Sequence, residues 1–179
     1  MGQSSAVPTT TLASVPLQLD RDLFLRSLLR ELAGSLQQIV GVEEAAGFIS
    51  LVGQRIGEQI NGSYCQALSL QRLSRRQVSE VLVDLKRRID GDFFVIEESA
   101  DRIVLGNRRC PFAEHVLGRP ALCMMTSNVF GYIAAENLGY AKVVLEETIA
   151  QGAPGCRVAI YLTPEATDAA GREYHAGAM

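Results

Sequence analysis

The sequence lacks any apolar run near the roughly 20 residues that a membrane-spanning helix needs. Residues 1–16 also lack the basic start and the compact apolar segment of a secretory signal peptide. These absences predict a cytoplasmic protein that does not enter a membrane. The four cysteines of such a chain are expected to be reduced thiols rather than disulfides.

A strong charge of one sign is missing as well. The formal net charge is -3, so the composition gives no electrostatic reason to expect nucleic acid as the main partner. Ordinary solubility accounts for a balance of this size.

The common catalytic fingerprints are also absent. The sequence has no G-x-S-x-G, no HExxH, no Walker phosphate loop and no Gly-x-Gly element. No acid–base pair or cofactor fingerprint accompanies the cysteines. The sequence therefore predicts a binding or signalling module rather than an enzyme.

The length of 179 residues suits one globular domain. Ser, Thr, Ala and Pro dominate residues 1–19, which we expect to be a flexible leader. The domain is predicted over residues 20–164, and residues 165–179 are expected to form a flexible tail.

Three helical patterns fill the first half of the chain. The first covers residues 21–40, and its apolar stripe is typical of a core face or a dimer face. Asn61 and Gly62 predict the end of the second helix, which begins near Val42. Ser74 begins the third. The stripe of the first helix consists of Leu25, Leu29, Leu32, Leu36 and Ile39.

In the second half of the chain the spacing of apolar residues changes from that of helices to that of strands. Residues 93–96 and 103–105 predict one β-hairpin, and residues 141–145 and 157–162 predict a second. A helix over residues 124–138 lies between them. The predicted fold is α+β, with the N-terminal helices packed on an antiparallel sheet made of the two hairpins and the intervening helix.

Three cysteines are predicted at the ends of these elements. Cys110 follows the first hairpin, Cys123 opens the last helix and Cys156 begins the last strand. Element ends on one rim of a sheet can converge, and converging thiolates bind zinc or an iron–sulfur cluster. The candidates for a fourth ligand are His115, Glu146, Glu147 and Cys65. The alternative is that the cysteines are small core residues.

Soft and aromatic side chains around the last helix suggest an apolar ligand pocket, although such residues also build cores. The predicted pocket residues are Met124, Met125, Asn128, Phe130 and Tyr132.

Residues 73–105 have the outline of a winged helix, because a helix with basic ends precedes a hairpin. Acidic residues such as Glu80 and Asp84 dilute that positive charge, which favours a solvated helix face. A redox- or iron-sensing DNA-binding regulator is therefore the alternative function.

A family resemblance rests on the cysteine-bearing half of the chain. The motifs are Cys110-Pro-Phe, the segment Leu122–Gly139, the pair Glu146-Glu147, and Gly152 four residues before Cys156. With these, residues 23–162 resemble the methanogen output domain family. The C-terminal half also resembles, more distantly, the four-vinyl-reductase type of ligand-sensing domain.

This resemblance implies an α+β fold, dimerisation through the N-terminal helices and an apolar pocket between helices and sheet. Zinc-bearing relatives have cysteines at positions like Cys123 and Cys156, a glutamate near Glu146 and a middle cysteine. Thr148 stands at the place of that middle cysteine. The relatives' zinc set therefore does not transfer whole.

The function expected from these observations is that of a signalling sensor or output domain. It would bind a small apolar ligand or a cysteine-held metal centre and relay its state to a partner protein. A homodimer is the expected assembly.

Overall fold

The computed structural model describes residues 20–177. The predicted leader, residues 1–19, lies outside them. Four helices and five strands are found within the described range, which confirms the α+β fold. In chain order they are α1 (Arg21–Val40), α2 (Val42–Leu68), α3 (Arg75–Arg87), β1 (Phe93–Glu98), β2 (Arg102–Asn107), α4 (Cys123–Leu138), β3 (Tyr140–Glu147), β4 (Cys156–Tyr161) and β5 (Arg172–His175).

The strands form one antiparallel sheet in the order β1-β2-β4-β3-β5. The two predicted hairpins, β1–β2 and β3–β4, are joined because β2 pairs with β4. One row of this register crosses three strands, with Phe93 opposite Asn107 and Asn107 opposite Cys156. That row marks the end of the sheet where β2 ends and β4 begins.

The main core lies between this sheet and the helices α3 and α4. Ile103 and Leu105 of β2 are fully buried in this core, and Val104 between them is buried in a separate cluster on the opposite face of the sheet. Phe130 of α4 is fully buried and meets the Phe93 ring edge-on, with 5.5 Å between the ring centroids. Truncating such a ring to alanine typically costs about 3–5 kcal/mol of stability.

Helix α2 continues past Asn61 to Leu68, so the predicted end of this helix was wrong. Asn61 accepts a hydrogen bond from the Asn137 amide of α4, at 2.7 Å. One turn further on, Tyr64 donates to the Asp84 carboxylate of α3, at 2.6 Å. These tertiary contacts outweigh the local preference of Asn-Gly to end a helix.

The predicted tail contains a fifth strand, β5, which the sequence pattern of residues 165–179 did not indicate. β5 pairs with β3 at the edge of the sheet. Its Tyr174 hydroxyl lies 2.9 Å from the Ser127 hydroxyl of α4, and Arg172 donates to Ser50 of α2 at 2.6 Å. The ordered fold thus extends well beyond residue 164.

The apolar stripe of α1 is largely on the surface. Leu25, Leu32 and Ile39 are 48%, 53% and 80% exposed, whereas α1 buries Ala33 and Gly34. Phe48, Leu51 and Val52 of α2 are also exposed. Within residues 20–177 the stripe is therefore not a core face, which leaves the interpretation as a dimer face.

Among the helices in residues 20–177, none is both long and apolar enough to cross a membrane.

The close approach of β5 to α4 gives a test of the corrected C-terminus. A Cβ at Gly131 would overlap the Tyr174 ring, whereas a Cβ at Gly62 on α2 meets nothing. Gly131→Ala should destabilise the protein by about 1–3 kcal/mol, since the ring and β5 must move. Gly62→Ala should stabilise it by about 0.5–1 kcal/mol.

Urea denaturation of both variants measures the two free energies of unfolding. Equal stabilisation by the two substitutions would show that β5 does not pack on α4.

Candidate functional site

The end of the sheet defined by the Phe93–Asn107–Cys156 row carries the candidate site. Gly155 lets β4 start close to β2, because a Cβ there would lie 2.8 Å from the Asn107 carbonyl oxygen. Thr148, which directly follows β3, is buried at the same end.

The connection from β2 to α4 carries the other two cysteines. Cys110 follows the end of β2, and Pro111 packs against Gly91 beyond the end of α3. Two short 3₁₀ turns bury Val116 and Leu122 and return the chain to this end of the sheet. Cys123 is then the first residue of α4.

These segments enclose a cavity of about 30 Å³, which we call the cysteine cavity. A space of this size has room for about two water-sized groups. Most of its wall is apolar. It is lined by Phe93, Asn107, Cys110, Pro111, Phe112, Val116, Leu122, Cys123, Thr126, Leu145, Thr148, Cys156 and Val158.

A buried lysine stands beside this cavity. Lys86, in the last turn of α3, is 5% exposed, and its ammonium donates to the Thr126 hydroxyl at 2.8 Å. The nitrogen also lies 5.4 Å and 5.3 Å from the ring centroids of Phe93 and Phe130. Such cation–π contacts contribute about 0.5–2 kcal/mol each, whereas burying an unpaired ammonium costs several kcal/mol.

The titratable groups that influence Lys86 are the three cysteines. Burial lowers the pKa of Lys86 to about 8, and Cys110, Cys123 and Cys156 act in the opposite direction as thiolates. Mutual influence of this kind means that the three thiols and the ammonium share one electrostatic environment.

Burial opposes ionisation of two of the thiols in the absence of a ligand. Burial first, and then Cys156 and Cys110, raise the pKa of Cys123 to about 12 against the lowering effect of Lys86 and Thr148. The pKa of Cys110 is also raised, chiefly by burial. Because Cys123 begins α4, the helix dipole favours its thiolate, but the burial term is larger.

The sulfur of Cys156 accepts two hydrogen bonds. The Ile149 backbone amide donates at 3.4 Å and the Asn107 side-chain amide at 3.6 Å. Such N–H···S contacts stabilise a thiolate and tune the potential of a bound cluster. The site thus provides thiols, amide donors and one cation in an apolar surround.

Of the five predicted metal ligands, three line the cysteine cavity and two do not. Glu146 pairs with Arg157 at 2.6 Å, on an exposed part of the sheet. His115 lies in the first 3₁₀ turn, where its Nε2 atom is buried without a hydrogen-bond partner. Cys65, a further candidate, packs against the main core. No three His, Cys, Asp or Glu side chains within residues 20–177 are arranged to hold a metal ion.

The zinc set implied by the resemblance is therefore not assembled. Cys123 and Cys156 line the cavity together with Thr148, whose hydroxyl donates to Gln151 at 2.9 Å. A threonine hydroxyl does not replace a thiolate on zinc. Glu146 is held away by its arginine partner.

The residues of the predicted apolar pocket do not line this cavity. Phe130 is in the main core, and Asn128 is buried with its amide donating to the Met124 carbonyl. Met124 and Met125 pack in a second cluster with residues of α1 and α2. Tyr132 packs on Gly57 of α2. All five residues belong to α4.

The helix and hairpin that were predicted as a winged helix, residues 73–105, form part of the main core. Its second strand, β2, lies inside the five-stranded sheet rather than forming a free wing. At the helix ends Arg76 pairs with Glu80, and Arg87 and Arg88 pair with Asp84. This arrangement does not favour the reading of DNA.

The sequence analysis did not predict Lys86 as a residue of the site, although its position in α3 indicated that it is buried. Residues 78, 82 and 86 follow an i, i+4, i+8 spacing, which places the lysine on the same helix face as Val78 and Leu82. Its neighbours Arg87 and Arg88 made it look like part of a solvated basic end.

Comparison with known families gave one match. The model of the family described as Methanogen output domain 1 matches residues 28–161. No curated protein matches the sequence. The description of the family as an output domain agrees with the predicted role in signal transduction.

Proposed function

The chain belongs to the methanogen output domain 1 family, and on that premise we propose that it is a sensor and output module of a signalling protein. Its cysteine cavity binds a metal centre through Cys110, Cys123 and Cys156. The state of this centre is relayed to a partner protein through α1.

The convergence of three thiols on one cavity carries the proposal. The three cysteines come from a loop, a helix start and a strand start, and all three line the cysteine cavity. Apolar side chains would fill a simple core better than thiols beside a buried ammonium. Thiols in an apolar, water-poor site are suited to soft metals.

Thiolates bind two kinds of metal centre, a zinc ion and an iron–sulfur cluster. A zinc ion would need the side chains to close around it, because no ready set of three ligands exists within residues 20–177. An iron–sulfur cluster held by three cysteines leaves one iron open, and it needs more room than a cavity of about 30 Å³, so the lining side chains would have to move apart. A small apolar ligand is less favoured, since Met124, Met125 and Phe130, which were expected to line its pocket, are packed into the cores.

Binding rather than catalysis is proposed for this site. Within the described part of the chain, the polar groups lining the cavity are the thiols, one amide and two hydroxyls. Neither a carboxylate nor an imidazole lines it to serve as an acid or base. The four cysteines are free thiols, which fits the proposed cytoplasmic location.

A direct path leads from the cavity to α1. Arg30 of α1 donates to the carbonyl groups of His115 and Leu117, at 2.7 Å and 2.8 Å. Ala33 packs in the same cluster as Val116, which lines the cavity. A change in the loop that carries Cys110 therefore reaches α1.

The exposed apolar stripe of α1 is proposed to bind a second copy of the chain. Isolated apolar residues on a surface are normal, but a stripe of leucines along one helix is typical of an interface. Helix α1 contacts the loop that carries Cys110 and also carries the exposed stripe. A change at the site would therefore alter the dimer interface.

The metal centre is tested by elemental analysis and absorption spectra of protein purified without oxygen. Cys110→Ser, Cys123→Ser and Cys156→Ser should each lose most of the bound metal, because each removes one thiolate. Cys65→Ser is the matched control and should keep it. Zinc without colour identifies an ion, whereas iron with sulfide and a broad visible band identifies a cluster.

A wild-type protein free of metal and colour, before and after anaerobic reconstitution, would contradict the proposed centre.

The dimer is tested by size-exclusion chromatography with light scattering. The double substitution Leu25→Glu/Leu32→Glu should weaken association at least about 100-fold, since two buried leucines are worth roughly 3–6 kcal/mol. Gln38→Glu, on an exposed part of α1, should leave the dimer intact. A wild-type protein that stays monomeric when concentrated would rule the dimer out.

A further inference from the structure

The exposed face of α1 has an apolar pattern that is symmetric about Leu32. Three pairs of large apolar residues lie at equal distances before and after Leu32 in the sequence, four, seven and eight residues away. At 3.6 residues per turn these positions fall on one side of the helix, and all but Leu36 are exposed. The pairs are Leu28 with Leu36, Leu25 with Ile39, and Phe24 with Val40.

The two ends of this face carry unpaired charges of opposite sign. Arg21 is exposed one turn before Leu25, on the same side of α1. At the other end, α2 begins directly after Gly41, and Glu43 and Glu44 are exposed in its first turn. Within residues 20–177, the ion pairs include none of these three charged side chains. Their charges are therefore available to a neighbouring molecule.

The other charges near the ends of this face are already engaged. Asp22 pairs with Arg26, and the Asp20 carboxylate caps α1 by accepting a hydrogen bond from the Leu23 amide at 2.8 Å. The last turn of α1 carries no basic side chain that could neutralise the start of α2. The first end of the face is thus left with one positive charge and the second end with two negative charges.

A second copy of the chain can pack on this face in two orientations. In a parallel pair each residue faces its own equivalent, so Arg21 would face a second Arg21 and the two acidic ends would repel each other. In an antiparallel pair centred on Leu32, each residue faces the one at the same distance on the other side of Leu32. The three apolar pairs then face each other, and the opposed helix dipoles also favour this orientation.

The antiparallel register also brings the opposite charges to the same end of the pair. Val40 of one copy faces Phe24 of the other, and Arg21 lies about 4.5 Å further along the helix axis. Glu43 follows Val40 by three residues, so its Cα atom lies within about 11 Å of the Val40 Cα atom. By the two-fold symmetry, the same contact forms at both ends.

We propose that α1 packs against α1 of a second copy in an antiparallel orientation centred on Leu32, with Arg21 of each copy bound to the acidic start of α2 in the other. This rests on the dimer of the proposed function and adds its orientation, its register and two charged contacts. Arg30 lies two residues before Leu32, so the loop that carries Cys110 is bonded to α1 near the centre of the interface.

Disulfide cross-linking of the full chain distinguishes the two orientations. The Cα atoms of a disulfide lie about 4.4–6.8 Å apart, whereas positions 25 and 39 of one helix are about 21 Å apart along its axis. On mild oxidation, Leu25→Cys/Ile39→Cys should form a covalent dimer that joins position 25 of one copy to position 39 of the other. Leu25→Cys alone and Ile39→Cys alone should each give less than a tenth of that product.

Two controls accompany the cross-linking. Leu32→Cys should give a covalent dimer in either orientation, because position 32 faces itself in both. Wild-type protein, oxidised in the same way, measures the background from its four free cysteines. Mass spectrometry of the digested dimers identifies which positions are joined.

Reversing the charges at the ends of the face gives a second test, with association measured at low ionic strength. Arg21→Glu should raise the dissociation constant about three- to tenfold, since both ends of the dimer lose an attraction and gain a repulsion. Arg21→Glu/Glu43→Lys should restore it to within about twofold of wild type. Arg72→Glu is the matched control, an exposed arginine between α2 and α3, and should leave association unchanged.

The outcomes separate the orientation from the dimer itself. A link from position 25 to position 25 would show parallel helices and overturn the inference, while the dimer of the proposed function would stand. A link at position 32 without the link from 25 to 39, or a second charge reversal that fails to restore association, would also overturn it. Monomeric wild-type protein with no link from Leu32→Cys would overturn both.

Discussion

The pairing of β2 with β4 is the constraint on which the rest of this structure depends. It merges two hairpins into one sheet and places the end of β2 beside the start of β4. Asn107 and Cys156 are thereby fixed opposite each other, with Cys110 following a few residues later. The loop that starts there must then cross the end of the sheet to reach α4, and so returns Cys123 to the same place.

The side chains at this end of the sheet are less stabilising than an ordinary apolar core would be. An ammonium and three thiols are held in an apolar surround where Leu or Val would pack more stably. Nothing in the packing of α3 against α4 requires a charge at Lys86. Such local conflict with the rules of core packing is typical of functional sites, and it separates this cavity from the open surface grooves of the same protein.

The same geometry links the site to the surface. The loop between β2 and α4 contributes Cys110, Val116 and Leu122 to the cavity wall, and it is bound on its other side by Arg30 of α1. A centre that changes its size or charge would act on this loop first. An output module needs such a connection, because a bound group has no effect unless the two states of the site differ at an interface.

Much of the architecture follows from sequence patterns, and the exceptions have physical causes. The capping box of α3 and the short apolar run of β2 are local signals, so both elements were predicted near their observed bounds. The extension of α2 depends on hydrogen bonds that Tyr64 donates to Asp84 and Asn61 accepts from Asn137, and β5 depends on a ring that packs on Gly131. No local pattern contains that information.

The site shows the same division. The position of the three cysteines at one end of the sheet was predicted from their places at the ends of helices and strands. His115 and Glu146 were proposed as ligands only because they are close to cysteines or to the relatives' motif in sequence. Lys86 was missed because charge next to Arg87 and Arg88 is usually solvated. Its burial is a property of helix packing.

The most direct test of this account is X-ray absorption at the metal edge of the anaerobically purified full chain. A cysteine-held centre predicts a first shell dominated by sulfur, at about 2.3 Å if the metal is zinc. A shell of oxygen and nitrogen alone, or a protein without metal, would contradict the central claim that the three thiols of the cysteine cavity act together.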